Sequence, residues 1–152
     1  MNFDTTPNGW AKDEVLIEHI EDCLNKTEHQ DFVFTITVQG HGSYPEEKLI
    51  LYPQIIASGL SSQAKNNQWE YYVNQVYEMD DFVENLVTMM EERGEPTVIV
   101  FYGDHLPTMG LEEEDMKSGS LFNTNYVIWD NIGLEKIDGT IPTYQLISEV
   151  MN

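Results

Sequence analysis

Asp104 and His105 stand side by side and offer the two donor types that a divalent cation takes most readily from a protein, a hard carboxylate oxygen and a borderline imidazole nitrogen. Only Gly103 separates them from the apolar run TVIVFY at residues 97–102. An Asp-His dipeptide by itself more often just opens a turn. Its position alters that balance, because ligands of open parallel sheets sit beyond the carboxyl ends of the strands. Gly103 would let the backbone pass close to an ion. His41 occupies the equivalent place after a second apolar run, FVFTITV at residues 32–38. If the two runs are parallel strands, His41, Asp104 and His105 emerge at one sheet edge, where metal ligands or phosphate contacts converge.

Other candidates carry less. His19 falls on an expected helix and His29 in a charged turn, and neither has a convergent partner in the sequence. The acidic run from Glu112 to Asp115 lacks the alternating ligands and central glycine of a calcium loop and reads as a solvated excursion. Cys23 is the single cysteine, which excludes an internal disulfide framework and a multi-cysteine zinc site.

The elements that must position these residues follow from hydrophobic periodicity. Residues 1–10 hold Pro7, Asn8 and Gly9 and read as a turning lead-in. Asp13 is expected to cap a short helix with Leu16, Ile20, Cys23 and Leu24 on one face and Asn25 as its stop. Residues 32–38 are β-branched and aromatic, as in a buried strand, and the Gly-His-Gly-Ser-Tyr-Pro segment after Gln39 is a loop. Residues 49–52 suit a short edge strand. A long helix is expected over residues 68–93, burying Trp69, Tyr72, Val76, Val83, Leu86 and Met90 and leaving Glu70, Glu84, Glu91 and Glu92 in water. Gly94 and Pro96 end it. Residues 97–102 and 126–129 are further strands, and residues 143–151 a terminal helix. The order strand, helix, strand implies a parallel crossover, so the expected architecture is α/β, a partial doubly wound and mainly parallel sheet.

Composition narrows the partners. Among 152 residues, 27 Asp and Glu face 7 Lys and Arg, a formal net charge of −20. Such a surface repels nucleic acid and anionic membrane, and phosphate chemistry on it needs a bound cation to invert the local field. No stretch reaches the roughly 18 apolar residues that span a bilayer, and residues 1–10 lack the basic and apolar regions of a signal peptide, so the chain reads as soluble.

Four ordered blocks, FVFTITVQGHGSYP, YYVNQVYEMDDFVENL, TVIVFYGDHLP and LFNTNYVIW, resemble the successive C-terminal blocks of the sulfatase-like catalytic domain in phosphoglycerol transferases and lipoteichoic acid synthases, of the alkaline phosphatase superfamily. NGWAKDEVL resembles the Trp-and-Asp segment that precedes them. The resemblance implies an alkaline-phosphatase-like fold and makes residues 1–152 the C-terminal portion of one such domain, its N-terminal portion absent. It implies that Asp104 and His105 bind a divalent metal, manganese first, with magnesium, calcium or zinc as alternatives. His41 would contact the substrate phosphate and Trp10 approach the glycerol-phosphate pocket.

The family's remaining metal ligands, a Glu and the nucleophilic Thr, match nothing here, so the chain is expected to be inactive alone. Its parent would face the outside of the cell membrane and move glycerol phosphate from a lipid donor to an envelope acceptor. A sulfatase, a phosphoethanolamine transferase and a noncatalytic binding module are the alternatives. Uncovered apolar surface would favour self-association.

Overall fold

A computed structural model describes residues 3–151; the first two residues of the lead-in and Asn152 lie outside the described residues. In chain order the elements are α1 (Val15–Leu24), α2 (Gln63–Arg93), β1 (Val98–Tyr102), β2 (Tyr126–Asp130) and α3 (Leu146–Met151), with single 3-10 turns at Glu113–Asp115 and Thr143–Gln145. The chain divides into two units. The first comprises the residues up to Thr88 with Pro107–Leu111, the second Met89–Leu106 and the residues from Glu112 onward.

In the first unit, α1 buries Ile20 and half-buries Leu16 and Ile17, while Cys23, expected on the same face, is exposed. The helix stops at Leu24, where the Asn25 N–H still donates to the Glu21 carbonyl at 2.9 Å. Glu14, not Asp13, holds the capping position and makes no side-chain bond there. Asp13 is turned inward, 1% exposed, with its carboxylate on a distant loop.

α2 begins five residues earlier than the apolar period suggests, because the Ser62 hydroxyl accepts the Lys65 N–H at 3.1 Å and caps the first turn. Gly94, at φ +66°, ends it by donating back to the Met90 and Glu91 carbonyls. Its buried face differs from the expected one. Tyr71, Asn74, Gln75, Phe82 and Leu86 are buried, whereas Val76 is 42% exposed. Leu86 and Met90 are buried and Glu84, Glu91 and Glu92 exposed as expected, but over the first part of the helix the buried face is turned by about one residue, roughly 100° around the axis, with Trp69, Tyr72 and Val83 half-buried.

The reason is what the helix packs against. A Tyr44, Tyr71 and Met109 core, flanked by Ile50, Trp69, Tyr72 and Leu111, sits on one side. Asn74 accepts the Gln54 and Ile55 N–H groups and donates to the Ile55 carbonyl, pinning an extended segment. Glu70, expected in water, is buried and takes the Lys48 ammonium at 3.0 Å. Loop backbone thus covers α2 where a sheet was expected, and backbone is met by polar side chains.

The apolar run at residues 32–38 forms no strand, and Phe32, Phe34 and Ile36 are 80%, 63% and 70% exposed. A strand needs partner backbone, and among the described residues this unit has only the isolated bridge between Thr5 and Ala11. Residues 49–52 form no strand either.

In the second unit β1 and β2 pair antiparallel, Val98 opposite Asp130 through Tyr102 opposite Tyr126. The expected parallel crossover is therefore absent among the described residues: β1 finds its hydrogen-bond partner downstream, in β2, and not in residues 32–38. Backbone bonds from Gly103 N–H to the Asn125 carbonyl and from Asn131 N–H to the Thr97 carbonyl extend the ladder at both ends. The Asn131 side chain accepts the Thr97 N–H at 2.8 Å and donates to the Glu95 carbonyl at 2.8 Å, fixing where β1 starts. Asp130 Oδ1 accepts three successive N–H groups, from Ile132, Gly133 and Leu134, and these bonds hold its carboxyl below the usual carboxylate range. The fold is thus a mixed helix and strand arrangement with a small antiparallel sheet.

The burial pattern of α2 sets an expectation for stability. Phe82→Ala should cost about 3–5 kcal/mol by leaving a cavity, while Val76→Ala should change stability by less than about 1 kcal/mol. Urea unfolding midpoints compare the two; a larger loss at Val76 would mean that the apolar stripe read from sequence is the packed face.

Candidate functional site

The loop that carries His41 is held from three directions within the first unit. The lead-in doubles back on itself: Thr6 N–H donates to the Trp10 carbonyl at 2.7 Å, Trp10 N–H to the Thr6 hydroxyl at 3.1 Å, and Lys12 N–H to the Asp4 carbonyl at 2.9 Å. At its tip the Asn8 amide donates to the Ser43 carbonyl at 2.6 Å. This hairpin-like turn sets the Trp10 indole against the loop. The Trp10 and His41 rings meet edge to face, with centroids 5.1 Å apart and an interplanar angle of 73°.

Gly42 makes this approach possible. Its φ of +113° is strained for any residue with a Cβ, and an added Cβ would lie 2.5 Å from Trp10 Nε1. On the other side, Tyr44 is buried in the core, its hydroxyl donates to the Gly40 carbonyl at 3.0 Å, and its ring meets Tyr72 edge-on at 5.5 Å. Burial first, and then the neighbouring Tyr72 and Tyr71, push the Tyr44 hydroxyl up to about 12. The Gln68 amide donates to the Tyr44 carbonyl at 3.1 Å. His41 itself is exposed at the crest of this braced loop. An imidazole beside an indole presents hydrogen-bond donors and an aromatic edge to a ligand in solvent.

Asp104 and His105 lie in the second unit, directly after β1, and both are exposed, their side chains 81% and 52% accessible. His105 Nδ1 is 2.8 Å from the Leu106 carbonyl oxygen. A carbonyl oxygen only accepts, so in the neutral ring Nδ1 carries the hydrogen and Nε2 keeps its lone pair. That nitrogen lies 3.7 Å from Asp104 Oδ1. A cation bound by both at about 2.0–2.2 Å needs donors roughly 3.0–3.5 Å apart, a little closer than these two stand. The pair fits a divalent metal in donor type and in the way a backbone carbonyl sets the imidazole tautomer. Among the described residues no group of three or more His, Cys, Asp or Glu is poised around one ion. A Cβ at Gly103 would meet Thr124 at an ordinary 3.6 Å.

His41 and Trp10 are thus brought together in one unit, while Asp104 and His105 are neighbours in the other. His19 and His29 are exposed, as is the Glu112–Asp115 stretch. What the sequence reading missed is the bracing by Asp13, Gln39 and Gly42. A polar Gln39 closing an apolar run and an Asp three residues after Trp10 were the available signals.

The sulfatase family model matches residues 2–152. The chain belongs to the sulfatase family. That family implies an alkaline-phosphatase-like α/β fold, of which the described residues show the mixed helix and strand content. A Rhizobium meliloti protein named for cyclic beta-1,2-glucan modification is 29% identical over 92% of the chain, and phosphoethanolamine transferase EptA of Helicobacter pylori is 23% identical over 66% of it. The chain spans 25% of the length of the first and 20% of the second. No solved structure matches it. Among the described residues no helix is long and apolar enough to cross a membrane.

Two measurements probe the loop. Gly42→Ala should destabilise the first unit by about 1–2 kcal/mol from left-handed strain alone, and should separate the two rings, which loss of the nuclear Overhauser contact between Trp10 and His41 reports. For Tyr44 the folded hydroxyl titrates above its unfolded value of 10, so the stability it contributes is complete below pH 10 and lost as pH rises through about 12. Unfolding followed by tyrosinate absorbance in Tyr44→Phe should lack that alkaline loss; an unchanged profile would show that another group controls it.

Proposed function

We propose that this chain supplies metal-binding and substrate-binding groups to a metal-dependent phosphoglycerol transferase that moves glycerol phosphate from a lipid donor to a cell-envelope glycan or polymer at the outer face of the membrane. The observation that carries the reading is the Asp104 and His105 donor pair after β1, with the His105 tautomer set by the Leu106 carbonyl. Manganese suits one carboxylate and one imidazole, and a bound cation is what a surface of net charge −20 requires before it can accept a phosphate. When bound, the metal supplies Lewis acidity and activates a nucleophile. In this reading His41 contacts the phosphate and Trp10, whose ring lies against His41, faces the glycerol.

The relatives' names support the two halves of this reaction. One describes transfer of a phosphate-linked group and the other modification of a glucan. Phosphoethanolamine transfer is the second reading, favoured by the Helicobacter protein's name alone. Because the chain spans a quarter or less of these relatives, we place the covalent nucleophile outside these residues and expect no turnover from the chain by itself.

Manganese titration followed by the resonance of the free ion should give weak binding to the chain, reduced at least about tenfold in Asp104→Ala and in His105→Ala. In the full-length protein carrying this chain, Asp104→Ala should abolish release of diacylglycerol from a phosphatidylglycerol donor. Metal-dependent turnover by the 152-residue chain that vanishes in Asp104→Ala would place a whole active site within it and end this reading. Turnover by the full-length protein with phosphatidylethanolamine and not phosphatidylglycerol would select the second reading.

A further inference from the structure

Asp13 is the most completely enclosed carboxylate among the described residues, and its bonding is lopsided. Oδ1 accepts two adjacent backbone N–H groups, from Val38 at 3.0 Å and Gln39 at 3.2 Å, and the Asp13 N–H donates to Gln39 Oε1 at 2.9 Å. Oδ2 is equally buried and has no hydrogen-bond partner. Gln39, 2% exposed, passes the connection on: its amide donates to Gln75 Oε1 at 3.2 Å and to the Glu78 carboxylate, which also takes the Lys12 ammonium at 3.0 Å. Residues 12–13, residue 39 and α2 are thereby tied in one knot.

A buried carboxylate with an unpartnered oxygen is costly, and burial outweighs the two N–H bonds in raising the Asp13 carboxyl. An apolar residue would fill the same space at less cost. What an apolar residue cannot do is hold two consecutive N–H groups of another segment in one direction. Those N–H groups lie two and three residues before His41, and Asp13 lies three residues after Trp10. Three residues span at most about 10 Å, so any shift between Asp13 and Gln39 is carried directly to the ring pair.

We infer that Asp13 is the positioning residue of the Trp10 and His41 pair, one carboxylate oxygen and the return bond to Gln39 setting the spacing between the two segments that carry the rings. The inference rests on the reading of that pair as the substrate-side contact, and it adds the group that pre-organises it. Pre-organisation matters here because His41 is exposed on a loop, and the Asn8 to Ser43 bond that also ties this loop to the lead-in is itself exposed. Only Oδ1 is used, so charge is not needed; an acceptor of the same shape is.

The experiment is carbon-proton NMR of the histidine rings in the 152-residue chain, reading the ring-current shift that Trp10 imposes on His41, with Trp10→Leu defining the unshifted position. Asp13→Ala should bring the His41 signals to the Trp10→Leu position in the folded protein, while Asp13→Asn, which keeps the accepting oxygen, should retain the shift even where it lowers stability. If Asp13→Ala does not fold, Asp13→Ser, polar but too short to reach both N–H groups, takes its place with the same expectation. A folded Asp13→Ala or Asp13→Ser with the shift intact, or a folded Asp13→Asn that has lost it, overturns the inference. Titration with glycerol 1-phosphate in the presence of manganese separates this from the functional reading. Binding in the full-length protein should weaken about tenfold in Asp13→Ala and be restored in Asp13→Asn. No binding by the unaltered protein would sink the substrate reading while leaving the NMR result for Asp13 to stand.

Discussion

The first unit is organised around a carboxylate that water cannot reach. Asp13 places one oxygen on the Val38 and Gln39 N–H groups and receives the Gln39 side chain on its own backbone, and Gln39 in turn reaches Gln75 and Glu78 on α2. A hydrogen-bond network in low dielectric tolerates few arrangements, since each unpaired group costs about 1–3 kcal/mol. That intolerance fixes how the lead-in, the His41 loop and the helix meet. The apolar core of Tyr44, Tyr71 and Met109 then packs beside an arrangement already set by polar contacts.

The same unit shows how a loop becomes a platform. Gly42 admits the Trp10 edge, Tyr44 anchors the loop in the core, and Asn8 ties its outer side. His41 is left as the exposed group of a segment whose flanks are immobilised. In the second unit Asn131 and the β1–β2 ladder do the corresponding work for Asp104 and His105, by fixing the ends of the strand from which they emerge. Both candidate sites follow one pattern, an exposed polar group at the end of a braced segment.

Against this, a considerable apolar surface is open. Phe32, Phe34 and Ile36 stand in solvent along a run written with strand residues, and Val76 and Tyr77 are exposed on α2. The net charge of −20 opposes nonspecific collapse of such surface by self-repulsion. It also makes a cation the natural intermediary for any phosphate.

The sequence by itself determined the elements whose signals are local. β1, β2 and α1 follow from short periodic runs, and Gly94 with Pro96 marked the end of α2, because caps and breakers act within a turn of the chain. The Asp-His pair at the end of β1 and the family resemblance were legible for the same reason: they are contiguous motifs. Tertiary structure alone decided which face of α2 is buried, that residues 32–38 find no strand partner, that β1 pairs with β2 antiparallel, and that Asp13 serves the His41 loop and not the start of α1. Each of these turns on a segment well separated along the chain, with partners 19 or more residues away, and periodicity records only that a side chain wants cover or a backbone wants a bond, not which segment supplies it. Trp10 and His41 illustrate the division: the family resemblance marked both for the ligand side, but only the tertiary structure shows the two rings 5.1 Å apart beside a Gly42 of positive φ.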